Sequence, residues 1–91
     1  MKVTLEIPTL LADACGGVTD LPLDSTTLPD AYAEVRRRWP VLAELVLDES
    51  NAPRTHVLFL LNGRCTRWLP EPDAPLSEGD RLTILQAVSG G

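Results

Sequence analysis

The chain ends in Val88-Ser89-Gly90-Gly91, and this tail holds the residues with the most specific chemistry to offer. Two glycines in succession carry no Cβ atoms, so they thread a channel too narrow for other residues and present the Gly91 carboxylate to an activating enzyme at its far end. Such a pair lends no packing and costs more backbone entropy than any other. Terminal residues that serve only the fold are rarely of this kind; the plain alternative is a loose end. The tail leaves a segment, Arg81 to Val88, that reads as a β-strand with Leu82, Ile84 and Val88 on its inward face.

Other reactive side chains are few. Cys15 and Cys65 are too few for a disulfide scaffold and lack the spacing of a metal site, so free thiols are expected and no metal is. A Cys65–His56 pair lacks an orienting third group or an oxyanion donor, and no catalytic residue is assigned.

Composition narrows the classes further. Ninety-one residues make one small domain. With 44% hydrophobic residues it has a modest core and no room for a deep enclosed site. A net charge of −5 argues against nucleic acid, which needs a basic footprint, and favours steering toward a basic partner. Met1-Lys2 leads directly into alternating residues without the apolar run of a signal peptide, and no segment has membrane-spanning length. A cytoplasmic protein with no membrane association is expected.

These groups need elements to position them. Val3, Leu5 and Ile7 alternate with polar residues as in a half-buried strand that Pro8 ends. Asp13 to Gly17 is a turn-rich connector, and Val18 to Leu23 a second strand with Val18, Leu21 and Leu23 inward, completing a hairpin. Thr27 caps a helix, with Asp30 three residues on and Pro29 in the first turn. Leu28, Ala31, Tyr32, Val35 and Trp39 form its apolar stripe. Arg36, Arg37 and Arg38 complement the dipole at its end, and Pro40 stops it. Val41 to Leu47 is a further helical turn with Leu42, Leu45 and Val46 inward.

The third strand, His56 to Leu61, is apolar on both faces. Either Leu58 and Leu60 or Val57, Phe59 and Leu61 point away from the helix, and Leu58, Leu60 and Phe59 are the candidate partner surface. Cover by the loop Leu69 to Pro75 is the competing outcome. Asn62-Gly63 turns the chain into a fourth strand near Cys65 to Trp68, and Ser77 to Asp80 turns it into the last. The order is strand, strand, helix, three strands. A compact solution sets the last strand beside the first, in parallel, at the centre of a mixed sheet of about five strands covered by one main helix. That is an α+β architecture, the β-grasp or ubiquitin-like fold, over residues 1–88, with 89–91 as a flexible tail.

The ending from Pro75 through Gly79-Asp80 to Ala87-Val88-Ser89-Gly90-Gly91 resembles that of the MoaD/ThiS sulfur carriers, β-grasp proteins with a Gly-Asp turn before the last strand and a terminal Gly-Gly. Met1 to Leu11 is similar to their opening strand, Thr27-Leu28 to their helix start and Phe59 to Gly63 to their hairpin. Ile7-Pro8-Thr9, Gly16-Gly17, the long segment before the third strand and the tail are most similar to the CysO-type branch, whose carriers deliver sulfur for cysteine biosynthesis, with relatives serving thio-containing metabolites. Small subunits of molybdopterin synthase share the ending.

The resemblance implies a carrier that catalyses nothing and binds no cofactor. A ubiquitin-activating-type adenylyltransferase would use ATP and magnesium to adenylate Gly91. A sulfur donor would convert it to a thiocarboxylate, and a sulfur-accepting biosynthetic enzyme would consume it. Val88, Ser89 and Gly90 would be read as the slim tail. Conjugation of Gly91 to lysines, as in a protein modifier, and a plain interaction module are the alternatives. Cys15 and Cys65 lie outside the family pattern.

Overall fold

The computed structural model describes residues 2–71 and 73–86. Strand β1 (Val3–Glu6) leads through a 3₁₀ helix (Thr9–Cys15) into β2 (Asp20–Leu23). Helices α1 (Leu28–Arg38) and α2 (Pro40–Val46) follow, then β3 (Val57–Leu61), β4 (Arg64–Cys65), a 3₁₀ turn (Thr66–Trp68) and β5 (Arg81–Gln86). The sheet order is β2-β1-β5-β3-β4. β1 runs antiparallel to β2 but parallel to β5, with Leu5 opposite Leu82 and Glu6 opposite Thr83. β5 is also antiparallel to β3, from Val57↔Gln86 to Leu61↔Leu82. The first and last strands are thus adjacent, parallel and central, as the β-grasp requires.

Alternation fills the space under α1. Leu5, Leu82, Ile84, Val57 and Phe59 project from the sheet onto Leu28, Ala31, Tyr32 and Val35 of the helix, all buried in one cluster. The Tyr32 and Phe59 rings meet edge to face at 5.0 Å, an arrangement favoured by their quadrupoles. Thr27 caps α1 by accepting from the Asp30 amide at 3.3 Å. The Asp30 carboxylate accepts from the Thr26 hydroxyl instead of returning to Thr27, so the box is half formed. Pro40 stops α1 and opens α2, whose Leu42, Ala43 and Val46 add a second helix to the core.

Several elements differ from expectation for local reasons. Val18 is 48% exposed: it lies an odd number of residues from Leu21 and Leu23, so the pleat cannot turn all three inward, and the ladder starts only at Asp20. The stretch Thr9–Cys15 coils into a 3₁₀ helix that buries Leu11 and Ala12. Leu45 is exposed because α2 meets the core through Leu42, Ala43 and Val46. β4 is shorter than expected, since the chain coils at Thr66.

The turns that set the entry to β5 are welded together. Asn62 and Gly63 both have positive φ, 51° and 87°, as the tightest hairpin turn demands. The Asn62 side chain donates to Asp80 at 3.0 Å and accepts from the Arg81 amide at 2.9 Å. The other Asp80 oxygen accepts from the Ser77 amide at 2.7 Å. Gly79, at φ 86°, donates to the Lys2 carbonyl. The Gly-Asp turn therefore fixes both the hairpin and the start of β1 against the last strand.

Glu34 is a buried carboxylate that the apolar stripe of α1 gives no sign of. It accepts from the Asp24 amide at 2.9 Å, the Ser25 hydroxyl at 2.6 Å and Arg38 at 2.7 Å, tying the β2–α1 connection to the helix. Arg38 also donates to the Pro22 carbonyl, and Arg36 braces Asn51, Glu44 and the Asp48 carbonyl. Two of the three arginines thus act as cross-braces beyond any dipole effect. Burial alone would raise the Glu34 pKa, but Ser25, Arg38 and the Asp24 amide outweigh it and hold the group below its ordinary value.

Two stability predictions follow from this packing. In urea denaturation, Ile84→Ala should cost about 2–5 kcal/mol, as for a buried aliphatic side chain. Leu85→Ala, on the same strand but facing outward, should cost under about 1 kcal/mol. Glu34→Gln should cost about 1–3 kcal/mol at neutral pH by weakening bonds to buried donors. Because the folded pKa of Glu34 is depressed, its contribution is complete above the ordinary carboxylate range and fades as pH falls through the folded value. The stability curves of wild type and Glu34→Gln should therefore converge in acid.

Candidate functional site

β5 delivers the tail. Its last described residue, Gln86, pairs with Val57 at the start of β3; β1 flanks the strand as far as Thr83, and β3 alone pairs with it from there to Gln86. The expected tail residues Val88, Ser89, Gly90 and Gly91 lie outside the described residues. The described part of β5 contributes to the sheet face turned away from the helices.

Residues of opposite parity to the core line that face. Leu58 stands opposite Leu85, and Leu60 opposite Thr83. Leu58 and Leu60 are half-buried and Leu85 is 44% exposed, an apolar patch shared by β3 and β5. Across β5 the face turns polar: Glu6 pairs with Arg81 and accepts from the Thr83 hydroxyl at 2.9 Å. The Arg81 and Thr83 hydrogen bonds together hold the Glu6 carboxyl below its ordinary pKa, and the same contact raises that of Arg81.

Phe59 is not on this face. It is 1% exposed and meets Tyr32 edge to face, because its register partner Ile84 points under the helix. The candidate partner surface therefore reduces to Leu58 and Leu60, with Leu85 joining them. Leu85 was legible as a leucine at odd parity to Leu82 and Ile84. The loop after the 3₁₀ turn does not cover the patch through its described residues. The Ala74 carbonyl accepts from Leu28, Pro75 bridges to Thr27, and Leu76 donates to Thr26, so the loop is stitched to the helical side.

The thiols sit on different elements, Cys15 in the first 3₁₀ helix and Cys65 in β4. Cys65 is buried opposite Leu60, whereas His56 precedes β3 and is exposed. Four residues of strand separate those positions, about 13 Å, too far for proton transfer. Burial pushes the Cys15 thiol up from its ordinary pKa. Among the described residues no group of three or more His, Cys, Asp or Glu is placed to hold a metal ion. No helix among them is long and apolar enough to cross a membrane.

This environment predicts the alkylation pattern. A raised pKa leaves less thiolate near neutrality, so iodoacetamide should label Cys15 more slowly than an unstructured cysteine, with the rate climbing only at more alkaline pH. Cys65 should react only after unfolding. Peptide mass spectrometry over a pH series reads both; fast neutral labelling of either would contradict the geometry.

The ThiS family profile matches residues 10–91. The chain is 29% identical over 93 residues to the sulfur carrier protein CysO of Mycobacterium tuberculosis (strain CDC 1551 / Oshkosh), with all of both chains covered. Its fold superposes on a chain in the crystal structure of the Amycolatopsis orientalis BexX/CysO complex with a TM-score of 0.83, at 28% identity, covering 98% of this chain and 99% of that one. The crystal structure of SAMP1 from Haloferax volcanii, at 22% identity and full coverage of both chains, shares the fold with a TM-score of 0.79. The family match spans the hairpin, both helices, the Gly-Asp turn and β5, and the chain belongs to the ThiS family.

Proposed function

We propose that this protein is a sulfur carrier of the CysO type whose working group is the Gly91 carboxylate. The observation that carries the reading is the position of β5. It is the central strand of a β-grasp sheet, fixed by β1 and β3, and it runs straight toward Ala87-Val88-Ser89-Gly90-Gly91. Full-length similarity to a protein named as a sulfur carrier supports it.

The chemistry follows from the weakness of a carboxylate as an acyl donor. A partner adenylyltransferase, using ATP and magnesium, lets a Gly91 oxygen attack the α-phosphate, expelling pyrophosphate and forming an acyl-adenylate. A sulfur donor then attacks the acyl carbon and AMP departs, leaving the thiocarboxylate. Its sulfur is a soft nucleophile that bonds to an electrophilic carbon of the acceptor, by addition or with loss of that carbon's leaving group, in a biosynthetic enzyme's pocket. Water then cleaves the resulting thioester, leaving sulfur on the acceptor and restoring the Gly91 carboxylate. Ser89 and Gly90 keep the tail narrow enough for both pockets, and Val88 marks where it leaves the body. The open face with Leu58, Leu60 and Leu85 supplies docking area beside the tail.

Two arms test this reading. Incubation with the cognate adenylyltransferase, ATP, magnesium and a sulfide source should exchange one oxygen of the intact protein for sulfur. Deleting Gly91, or Gly90→Ile, should abolish the exchange with thermal stability nearly unchanged, because displacement at a reacting centre costs orders of magnitude in rate. Sulfur acquisition at the wild-type rate without Gly91 would refute the proposal. In the second arm, Leu58→Asp with Leu60→Asp should weaken enzyme binding while the domain stays folded. Isopeptide-linked conjugates on a denaturing gel, without sulfur exchange, would instead mark a protein modifier.

A further inference from the structure

The charges of this chain are segregated. Residues 50–70 hold Arg54, Arg64 and Arg67 and none of the chain's 13 acidic residues, although the whole chain carries −5. Glu49 and Glu71 bound the stretch, the longest acid-free run in the sequence. The fold collects much of it at one margin, because β4 is an edge strand and the 3₁₀ turn Thr66–Trp68 follows directly.

Trp68 on that turn is 84% exposed, more than any other large apolar side chain described. It borders a shallow depression of about 340 Å³ shared with Gly63, Arg64, Cys65, Leu69 and Pro70. Arg64 is exposed, and the ion pairs among the described residues engage Arg36, Arg38 and Arg81 but not Arg64. Arg67 is exposed too, its Nη2 donating to the carbonyls of Arg54 and Val57 at 2.5 and 3.0 Å. Val57 is the register partner of Gln86. The basic margin therefore reaches the end of the sheet from which β5 heads into the tail.

We propose that this margin, centred on Arg64, Arg67 and Trp68, is a second docking surface for the adenylyltransferase that receives the tail. It would take an acidic protein segment with an apolar anchor beside the entrance of the tail channel. The inference rests on the carrier reading above. Its ground is charge complementarity: the net charge of the body repels an acidic segment, and this acid-free margin attracts it, which fixes the orientation in which the tail enters. The exposed indole and the depression beside it supply the desolvated contact that charge alone does not, and tryptophan and arginine are the residues in which interface energy concentrates. Leu58, Leu60 and Leu85 give area without direction; the margin gives direction.

The test is isothermal titration of wild type, Arg64→Glu and Trp68→Ala against the cognate adenylyltransferase at low and high salt, with adenylate formation assayed alongside. Each variant should bind about tenfold more weakly or worse. Wild-type affinity should fall with salt, and Arg64→Glu should lose much of that dependence. KM for the carrier should rise with kcat retained, since the tail is intact. Arg64→Gln replaces the charge reversal if melting curves show that variant unfolded.

Equal affinity for all three proteins, with wild type adenylated, overturns the docking surface and leaves the carrier reading in place. Failure of wild type to be adenylated overturns both. A wild-type dimer in light scattering that the variants dissolve, with unchanged enzyme affinity, assigns the margin to a second copy. Capture of a labelled single-stranded oligonucleotide, lost in the variants, with enzyme affinity again unchanged, assigns it to nucleic acid. Either of these two results also overturns the proposal.

Discussion

Parallel pairing of β1 with β5 cannot be closed by a tight turn, and here nearly the whole chain is the crossover that closes it. Glu6 and Thr83, bonded across the pair, stand 77 residues apart in sequence. Everything between them has to return β5 to the sheet centre, where β1 and β3 flank it and the helices seal one face. Such a non-local contact recovers its loop-closure entropy only late in folding, so the entry to β5 needs independent fixing. The Asn62–Asp80 bond, the Ser77 amide on the same carboxylate and the Gly79–Lys2 bond provide it. The Gly-Asp turn is thus a clamp on the strand that carries the tail.

Much of this was legible because the deciding signals are local. Asn62-Gly63 has few conformations open to it, Thr27 followed by Pro29 and Asp30 marks a helix start, and strict alternation over Val3 to Ile7 leaves one choice of inward face. What was not legible depends on partners distant in sequence. Residues 57–61 are apolar at every position, so parity is set only by the register of Phe59 against Ile84, and Phe59 turned out to belong to the core. Val18 and Leu45 were read as inward from their side chains alone, whereas the ladder start and the α2 contact decide against both. Glu34 escaped notice because a hydrophobic stripe registers only apolar positions. Its spacing to Arg38, one helical turn away, was the available clue.

The two sides of the sheet have opposite characters. On the helical side, the described part of the loop after Trp68 is stitched to Thr26, Thr27 and Leu28, and Ala74 and Leu76 are buried. On the other, Leu58, Leu60 and Leu85 share the surface with the Glu6–Arg81 pair, with no helix over them among the described residues. One face therefore holds the fold together, and the other carries the apolar patch to which the proposed function assigns docking.

Titration sharpens that division. Hydrogen bonds from Arg81 and Thr83 lower the pKa of Glu6, those from Ala52 and Ser50 lower that of Asp48, and Glu34 is held low by Ser25, Arg38 and Asp24 against its burial. Burial raises Cys15 and Tyr32, and Glu6 raises Arg81. Each of these perturbations moves the group away from neutrality. Sites that transfer protons are built the opposite way, with carboxylates pushed up or cations pushed down toward working pH. The perturbed groups of this body therefore keep one charge state across the neutral range. The reacting atoms of the proposed carrier are those of Gly91 and the partner's substrates. What the body then has to supply is a constant shape up to the end of β5, and the clamped strand and the braced helices supply it.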